Sequence, residues 1–341
     1  MEDRFQHDVV CLYHKNCLDG LAAGWVVWKF FAGMLDMVAI QYGDDYEAIF
    51  GEEFQSLVGK KVICVDFAFD LKTTKFLSEI CDLLVLDHHD TAQRDLGEIA
   101  YKSFVQARNE FTPRGLMYNI PNEPNMTVVV DNRHSGARLA WEWFYATALV
   151  PTPIKFVEDY DLWKFHYANT KAFVAAAFSG EMTPEQFNKY VSNDPDEQSK
   201  IIDRMVLEGN AIQRHIDKTV KGLSRSARRF KLDGYDVPIV NGNSVFRNEL
   251  GAILAVDELF SVTYTDHRDG RQYSLRSKKD GLHVGDIAKR FGGGGHANSA
   301  AFRIHMDDDQ FHNSHLELSS TRPVKKDNEW VEVPRYAKKD I

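Results

Sequence analysis

Two short strings, far apart in the chain, combine residue types that suit phosphate chemistry. Asp87-His88-His89 directly follows the apolar run 83–86, which is typical of a buried strand. Acidic and imidazole groups at the end of such a strand lie where α/β sheets carry their active sites. The second string is Gly292–His296, whose side-chain-free amides could surround a phosphate beside a histidine. A metal site followed by an anion clamp predicts a metal-dependent phosphoesterase.

Further acidic residues stand where other predicted strands end. His14 and Asp19 follow the apolar run 9–13, and Asp66 follows the run 61–65. A single acid after a strand is usually the N-cap of a helix. Three such positions in register, two of them with histidines, favour a shared site, because the carboxyl ends of parallel strands meet at one edge of a sheet.

The first half of the chain alternates strand and helix patterns. Strands are predicted at 9–13, 37–42, 61–65, 83–86 and 128–130. Helices are predicted at 21–31, 48–58, 71–81 and 136–147. Ser135 is the expected N-cap of the last helix. The rest of 101–134, with Pro113, Pro121 and Pro124, is predicted to be loop. This alternation predicts an α/β fold with a parallel sheet and right-handed crossovers.

A long charged stretch at 196–229, apolar on one side, predicts a helical connector. Beyond it the pattern changes to short strands at 237–241, 261–265 and 272–276 around a helix at 250–260. A turn is expected at Asp269-Gly270 and a further helix at 284–291. We therefore predict a catalytic domain (1–195), a helical connector (196–231), a smaller α/β C-terminal domain (232–305) and a polar tail (306–341).

Composition limits the classes of protein that fit. A chain of 341 residues with 44% hydrophobic and 27% charged content is an ordinary globular sequence long enough for two domains. A formal charge of −9 argues against a long duplex footprint, although bound metal ions would still allow a short anionic ligand. The four cysteines show no CxxC spacing, so reduced thiols are expected. Without a signal peptide or membrane-length apolar window, we expect a cytoplasmic protein.

Five strings in the same order resemble the DHH phosphoesterase superfamily with its associated C-terminal domain, across approximately residues 8–304. The family's first motif is matched by His14-Lys15-Asn16-Cys17-Leu18-Asp19-Gly20, and its second, a lone acid after a strand, by Asp66. The third is Asp87-His88-His89, and the fourth is placed at Asp161, with Asp159 as the alternative. The C-terminal signature is matched by Ser274-Leu275-Arg276-Ser277 and Gly292–His296.

The resemblance implies two Mn²⁺ ions, with Mg²⁺ as the alternative. One ion would be held by His14 and Asp66, and the other by Asp19, Asp66, His88 and Asp161, with Asp66 bridging. Carboxylate and imidazole ligands suit manganese, and a two-ion site suits in-line displacement at phosphorus. His89 would contact substrate, and Asp87 would orient the neighbouring imidazoles. The implied catalytic set is therefore Asp66, Asp87, His88 and His89.

Cys17 departs from the family pattern. Many members carry an acid two residues before the last acid of the first motif, whereas this chain has the Cys-x-Asp-Gly form of a related branch. A thiolate is a softer ligand that favours zinc or iron over magnesium. Cys17 is either a ligand of the first metal site or a side chain packed under the loop.

In the C-terminal domain we expect substrate binding by a small set of polar residues and glycines. The set is Arg276, Gly293, Gly294, Gly295, His296 and Asn298. A guanidinium grips a phosphate bidentately, and successive glycine amides could form an anion nest. The alternative is that the glycines end the helix at 284–291.

These features predict a metal-dependent phosphodiesterase that hydrolyses short oligonucleotides or small nucleotide phosphodiesters by two-metal activation of water. The expected partner is a short nucleic acid or nucleotide. We expect no binding to a membrane or to a long nucleic-acid duplex, and a homodimer is an open alternative to a monomer. Two alternatives remain: an exopolyphosphatase-like phosphohydrolase, and a non-catalytic nucleotide-binding protein. Metal content and turnover of a dinucleotide against polyphosphate would distinguish the three.

Overall fold

The computed structural model describes residues 5–100, 125–146, 148–268 and 270–305, and assigns two further strands between 321 and 334. The predicted loop with Pro113, Pro121 and Pro124 lies outside the described residues. The same holds for the predicted helix end at Thr147, for Asp269 of the predicted turn and for most of the predicted tail. The chain divides into two compact units, 1–214 and 215–341, which are described separately.

The first unit contains a five-stranded parallel sheet. Its strands are β1 (Val9–His14), β2 (Asp36–Ile40), β3 (Lys61–Val65), β4 (Asp82–Asp87) and β5 (Met126–Val130). The spatial order is β2-β1-β3-β4-β5. In this register Val65 pairs with Leu86, and Asp87 with Val130. The last residues of the central strands therefore lie side by side at one edge.

Helices cover both faces of this sheet. The helices of the first unit are α1 (Leu18–Phe30), α2 (Tyr46–Phe50), α3 (Leu71–Ile80), α4 (Asp90–Leu96), α5 (Gly136–Tyr145), α6 (Thr152–Asp161), α7 (Thr170–Ser179) and α8 (Pro184–Asn188), and α9 (Pro195–Leu223) begins in this unit and ends in the second. Alternate strand residues enter two apolar cores: Ile63 and Leu84 pack in one, Val62 and Val85 in the other. Burial on both faces explains why these strands are continuous apolar runs without polar alternation.

Two local predictions have clear outcomes. Ser135 is the N-cap of α5, and its hydroxyl accepts from the Arg138 N–H at 3.3 Å, as predicted. The predicted helix at 48–58 is wrong: α2 ends at Phe50 because Gly51 has φ +83°, and a 3₁₀ turn follows over Glu52–Leu57. A left-handed glycine ends a helix at little conformational cost, and this chain has one in the middle of the predicted segment.

The second unit contains a six-stranded sheet, joined to the first by the continuous helix α9. Its elements are β6 (Arg228–Leu232), β7 (Tyr235–Asn241), α10 (Arg247–Leu254), β8 (Ser261–His267), β9 (Gly270–Arg276), α11 (Val284–Arg290), β10 (Gly294–His296) and β11 (Ser299–His305). The order is β10-β11-β9-β8-β7-β6. Residues 228–231, placed in the connector from sequence, form most of the edge strand β6. The helix predicted at 250–260 ends at Leu254, and Phe260 is fully buried in the core of this unit.

Two further strands, β12 (Thr321–Lys326) and β13 (Glu329–Pro334), pair antiparallel in the segment where a polar tail was expected. The predicted fold class is confirmed: a parallel-sheet α/β unit is followed, through a long helix, by a second unit with its own mixed sheet.

Candidate metal centre

The carboxyl edge of the parallel sheet brings together the acidic and imidazole residues that the sequence predicted to meet. His14 is the last residue of β1 and Asp87 the last of β4, while Asp66 directly follows β3. Asp66, Asp87 and His88 are each at most 1% exposed. Such burial of charged groups is rare in proteins unless the groups are paired or bind metals.

Asp66 lies between two imidazoles. Its Oδ1 is 2.9 Å from His88 Nε2, and its Oδ2 is 3.6 Å from His14 Nδ1. Its backbone has φ +55°, in the left-handed region, and its N–H donates to the Leu86 carbonyl at 2.9 Å. Such a strained conformation is uncommon for a non-glycine residue and is concentrated at functional sites. The turn therefore places both carboxylate oxygens against ligand-type nitrogens.

Gly136, the first residue of α5, permits this arrangement. A Cβ atom at Gly136 would lie 2.6 Å from the Asp66 Cβ and 2.9 Å from its Oδ1. No such distance is tolerated between carbon atoms, so the helix terminus approaches Asp66 this closely only because position 136 has no side chain.

Two more carboxylates face the same imidazole. The Nε2 atom of His88 lies 3.6 Å from Asp19 Oδ2 and 3.5 Å from Asp161 Oδ2. Asp19 also accepts from the backbone N–H groups of Gly136 at 2.6 Å and Ala137 at 3.1 Å. The N-terminus of α5, with its partial positive charge, thus anchors a carboxylate that comes from α1.

The structure separates Asp159 from Asp161, which the sequence could not. Asp159 accepts from the His166 N–H at 2.8 Å, the Tyr167 N–H at 3.2 Å and the Thr170 hydroxyl at 2.5 Å. These hydrogen bonds hold the segment between α6 and α7, so both carboxylate oxygens of Asp159 already have partners within the fold. Asp161, at the C-terminal end of α6, lies beside His88 and is the member of the pair placed to bind a metal.

Cys17 lies in the loop between β1 and α1 and faces the cluster. Its sulfur, a His14 ring nitrogen and an Asp66 oxygen lie within 4.8 Å of one another, and so do ligand atoms of Asp19, His88 and Asp161. The six residues predicted as ligands therefore form two adjacent groups of three, and the 2.9 Å contact between Asp66 and His88 connects them.

Asp87 is fully buried and organises the two histidines that follow it. Its Oδ1 accepts from the His88 N–H at 2.7 Å and the His89 N–H at 3.3 Å, and lies 2.7 Å from His89 Nδ1. This contact assigns the Nδ1–H tautomer to His89 and fixes the plane of its ring. Asp87 is thus placed to orient an imidazole and not to meet a substrate.

The electrostatics reflect several negative charges held together. Burial, reinforced by the charges of Asp66 and Asp161, holds the pKa of Asp19 well above its usual range. Burial also raises the pKa of Asp161 and, with the three neighbouring carboxylates, that of the Cys17 thiol. For Asp66 burial acts in the same direction, but the imidazoles of His14 and His88 outweigh it and hold its pKa well below the ordinary value. Clusters with opposed shifts of this kind are typical of functional sites.

The donor set fits divalent cations. Three buried polar atoms, His14 Nδ1, Asp66 Oδ2 and Asp161 Oδ2, have no hydrogen-bond partner among the described residues. A buried polar atom without a partner costs free energy, and bound cations in the two groups would satisfy all three. Carboxylate and imidazole ligands suit Mn²⁺ and related ions, and the approach of three carboxylates requires positive charge nearby.

An aromatic wall beside the cluster was missed from the sequence. The Tyr42 ring lies 6.0 Å from that of His14, 6.4 Å from that of His89 and 4.9 Å from that of Phe67, measured between centroids. Tyr42 is the last residue of the predicted strand 37–42, so its place at a strand end was the available signal, although β2 itself ends at Ile40. The hydrogen bonds that Asp19 accepts from the N–H groups of Gly136 and Ala137 were also missed, because nothing in either segment indicates the contact.

In the second unit, the residues predicted to bind substrate lie near the ends of three strands. Arg276, which ends β9, donates to the Leu275 carbonyl at 3.0 Å and to the Asn248 side chain. Asn298 donates to the Ser277 hydroxyl at 2.8 Å. His296 ends β10, whose residues Gly294 and Gly295 pair with β11.

The expected nest of four glycine amides is not formed. The Gly292 N–H donates to the Lys289 carbonyl at 3.1 Å, and the Gly293 N–H donates to the Ala288 carbonyl at 2.9 Å. With Gly292 at φ +76°, this is the glycine end of helix α11. The assignment of Gly293 as a phosphate donor is therefore corrected: it lacks a side chain because a Cβ would lie 2.1 Å from the Ala301 carbonyl.

Comparison with known proteins agrees with this architecture. Among solved structures, the DHH domain of a member of a ribosomal protein family matches 88% of this chain and 83% of its own, with a TM-score of 0.50 and 13% identity. The chain thus has the fold of a DHH domain.

A relative found by sequence and another solved structure also match. The uncharacterized protein R106 of Acanthamoeba polyphaga mimivirus is 23% identical over 313 residues, which are 86% of this chain and 67% of the relative. The pGpG-specific phosphodiesterase PggH from Vibrio cholerae matches at a TM-score of 0.40 and 14% identity over 89% of this chain and 95% of that chain. No protein-family model matches.

Proposed function

We propose that this protein is a metal-dependent phosphodiesterase of the DHH superfamily that hydrolyses short oligonucleotides or small nucleotide phosphodiesters. The observation that supports this most directly is the Asp66 carboxylate, buried between His14 and His88 with one oxygen toward each ring. A carboxylate in that position is suited to bridge two cations, and the two groups of three ligand-type residues lie on either side of it.

The ligand groups divide as follows. His14, Cys17 and Asp66 would hold one ion, and Asp19, Asp66, His88 and Asp161 the other. When bound, the ions would supply an activated water and positive charge against the phosphoryl oxygens. The ligand carboxylates would carry no proton in that state, so they would act as ligands and not as proton donors.

His89 is the residue proposed to contact the substrate phosphate. Asp87 accepts from its Nδ1–H, which orients the ring and stabilises positive charge on it. Burial lowers and the Asp87 charge raises the pKa of His89, and the net pKa shift is upward. When protonated at both ring nitrogens, His89 would donate from Nε2 to a phosphoryl oxygen and stabilise the negative charge that grows during displacement.

The second unit would bind the distal part of the substrate. Arg276 has a guanidinium oriented by Asn248 and the Leu275 carbonyl, and it would bind a phosphate or a terminal nucleotide. His296 and Asn298 are proposed to take part, together with the Gly294 and Gly295 backbone. The formal charge of −9 favours a short substrate over a long duplex. Within the described residues no helix has the length and apolar character of a membrane span.

The deciding experiment is a substrate screen. Purified protein with Mn²⁺ is assayed against di- to pentanucleotides, cyclic dinucleotides and inorganic polyphosphate, with and without exhaustive chelation. We expect turnover of a nucleotide phosphodiester that is lost on chelation and restored by Mn²⁺. Turnover of polyphosphate alone would instead establish the exopolyphosphatase-like function, which needs no nucleoside contacts.

A third outcome is nucleotide binding without turnover, which would identify a non-catalytic binding protein. It is recognised by a nucleotide-dependent rise in the melting temperature of a protein that binds Mn²⁺ but releases no product. Glu79→Gln, which removes an exposed charge from α3, is the control for every acidic variant of the site.

A further inference from the structure

The Cys17 sulfur lies among metal-type donors and not in an apolar core. It is within 4.8 Å of a His14 ring nitrogen and an Asp66 oxygen. The other cysteines are different: Cys11, Cys64 and Cys81 are at most 4% exposed and belong to the two hydrophobic cores of the first unit. Packing explains those three sulfurs and leaves Cys17 without an explanation.

The position of Cys17 in the fold gives no structural reason for a cysteine. It is the N-cap of α1, with extended backbone angles (φ −125°, ψ 133°), and its side chain makes no capping hydrogen bond. Ser, Thr, Asp or Asn would stabilise the helix by about 1 kcal/mol at such a position.

An independent feature points to a ligand here. The Oδ2 atom of Asp66 belongs to a residue that is 1% exposed, and it has no hydrogen-bond partner among the described residues. It lies on the His14 side of the carboxylate, 3.6 Å from the His14 Nδ1 atom, which is likewise buried and unpaired. The sulfur of Cys17, a nitrogen of His14 and an oxygen of Asp66 therefore lie close together, and within the described part of the chain the last two have no hydrogen-bond partner.

We infer that Cys17 coordinates a divalent cation as a thiolate, together with His14 and Asp66, and that this group selects a thiophilic cation over Mg²⁺. This inference rests on the metal-dependent function proposed above and specifies one of its two ion positions. Thiolate and imidazole favour Zn²⁺, Co²⁺ and Cd²⁺, whereas Mg²⁺ takes oxygen ligands. The thiol proton passes to solvent as the sulfur–metal bond forms. The other group, Asp19, His88 and Asp161, has no sulfur, so the two positions differ in metal preference.

The test uses Co²⁺ as a spectroscopic probe on the full-length, metal-free protein. Thiolate coordination produces an intense near-ultraviolet charge-transfer absorption that oxygen and nitrogen ligands do not. We expect this absorption in the parent protein and in Cys81→Ala, whose sulfur lies in the core, and its loss in Cys17→Ser. A Co²⁺-induced rise in melting temperature is measured on the same samples.

The two measurements separate the possible failures. A Co²⁺-stabilised parent protein without the absorption would overturn the thiolate assignment and leave the metal-dependent function standing. An absent thermal response to both Co²⁺ and Mn²⁺ would overturn the function and the assignment together. Retention of the absorption in Cys17→Ser would also contradict the inference, because another cysteine would then be the ligand.

A second variant keeps the inference falsifiable if Cys17→Ser is unstable. Cys17→Asp replaces the sulfur by a hard donor, so the ratio of Cd²⁺ to Mn²⁺ affinity should fall at least about tenfold, the lower end for a disturbed metal ligand. An unchanged ratio in a folded Cys17→Asp protein would mean that the sulfur does not touch the ion.

Discussion

Asp66 is the residue on which the candidate site depends most. It contacts His88 directly, faces His14, and adopts a left-handed backbone conformation that a neighbouring glycine accommodates. Its loss should therefore affect chemistry far more than folding.

We predict that Asp66→Ala abolishes Mn²⁺-dependent hydrolysis, lowering kcat/KM by several orders of magnitude, because both ions would lose a ligand. The parent protein should melt at higher temperature with saturating Mn²⁺, and the variant should lose this response while its circular dichroism remains that of a folded protein. Full turnover by folded Asp66→Ala would contradict the two-ion model.

Asp159 and Asp161 provide a matched pair only two residues apart. Asp159→Asn should destabilise the protein by about 1–3 kcal/mol, because it weakens three hydrogen bonds to a buried carboxylate. Asp161→Asn should reduce Mn²⁺ affinity and activity without lowering the melting temperature of the metal-free protein, because it removes one of several mutually repelling charges. Chemical denaturation and Mn²⁺ titration of both variants check this; a reversed pattern would exchange their roles.

Asp159 also makes a pH-dependent contribution to stability. Burial raises the pKa of the Asp159 carboxyl, but the hydrogen bonds from Thr170, His166 and Tyr167 outweigh burial, and the net pKa shift is downward. A depressed pKa in the folded state stabilises the protein above the unfolded-state pKa, near 3.9, and this stability is lost as the pH falls below that value. The difference in unfolding free energy between the parent and Asp159→Asn should thus be constant near neutrality and shrink below about pH 4. A difference that does not change with pH would show that the shift is absent.

Among the elements, the N-terminus of α5 contributes most to the site. Its first two N–H groups bind Asp19, and its first residue touches Asp66, so one helix end positions two carboxylates that are far apart in sequence. Ser135 caps the same helix end. A small shift of α5 would therefore move both proposed ion positions.

We predict that Gly136→Ala gives a folded protein with about 10- to 100-fold weaker Mn²⁺ binding, because the new Cβ would displace Asp66. The control is Gly222→Ala in α9, where a Cβ meets nothing within 4 Å and should be neutral or stabilising by up to about 1 kcal/mol. Isothermal titration with Mn²⁺ compares the two. Equal affinities would mean that α5 does not constrain Asp66.

For the molecule as a whole, the proposal requires both units for a nucleotide substrate. Binding energy from a remote group can position the scissile phosphate, so its loss appears in kcat as well as in KM. The second unit is proposed to supply such groups, and the metal-type residues of the first unit are proposed to bind the ions.

We therefore expect Arg276→Ala to impair hydrolysis of a dinucleotide far more than that of a small chromogenic phosphodiester too short to reach Arg276. Loss of a charge-assisted contact should cost about 2–3 kcal/mol, or about 30- to 150-fold in kcat/KM. Both substrates are measured on the same folded variant. Equal losses would show that Arg276, which also packs against Gly251 and Asn248, supports folding and not substrate binding.

The alternation of strands and helices in the first unit, and the residues that end its strands, could be predicted from sequence. Apolar runs bounded by His14, Asp66 and Asp87 predict buried parallel strands, and parallel strands must end at one edge. Local signals also located the Ser135 cap correctly. They failed at Gly51, where one left-handed residue ends a helix whose apolar pattern continues.

How the side chains are used could be learned only from the folded chain. Asp159 and Asp161 could not be distinguished from sequence. In the structure Asp159 accepts hydrogen bonds from the segment that follows α6, whereas Asp161 faces His88. In sequence Gly293 resembles a phosphate-binding residue, but in the structure its N–H donates to a carbonyl of α11. The anchoring of Asp19 joins residues 117 positions apart, and no local pattern encodes such a contact. Hydrophobic periodicity and strand ends are set by residues that are neighbours in sequence, so they can be predicted from it. Which partner a hydrogen-bond donor or acceptor has depends on residues that are distant in sequence, so only the folded structure shows it.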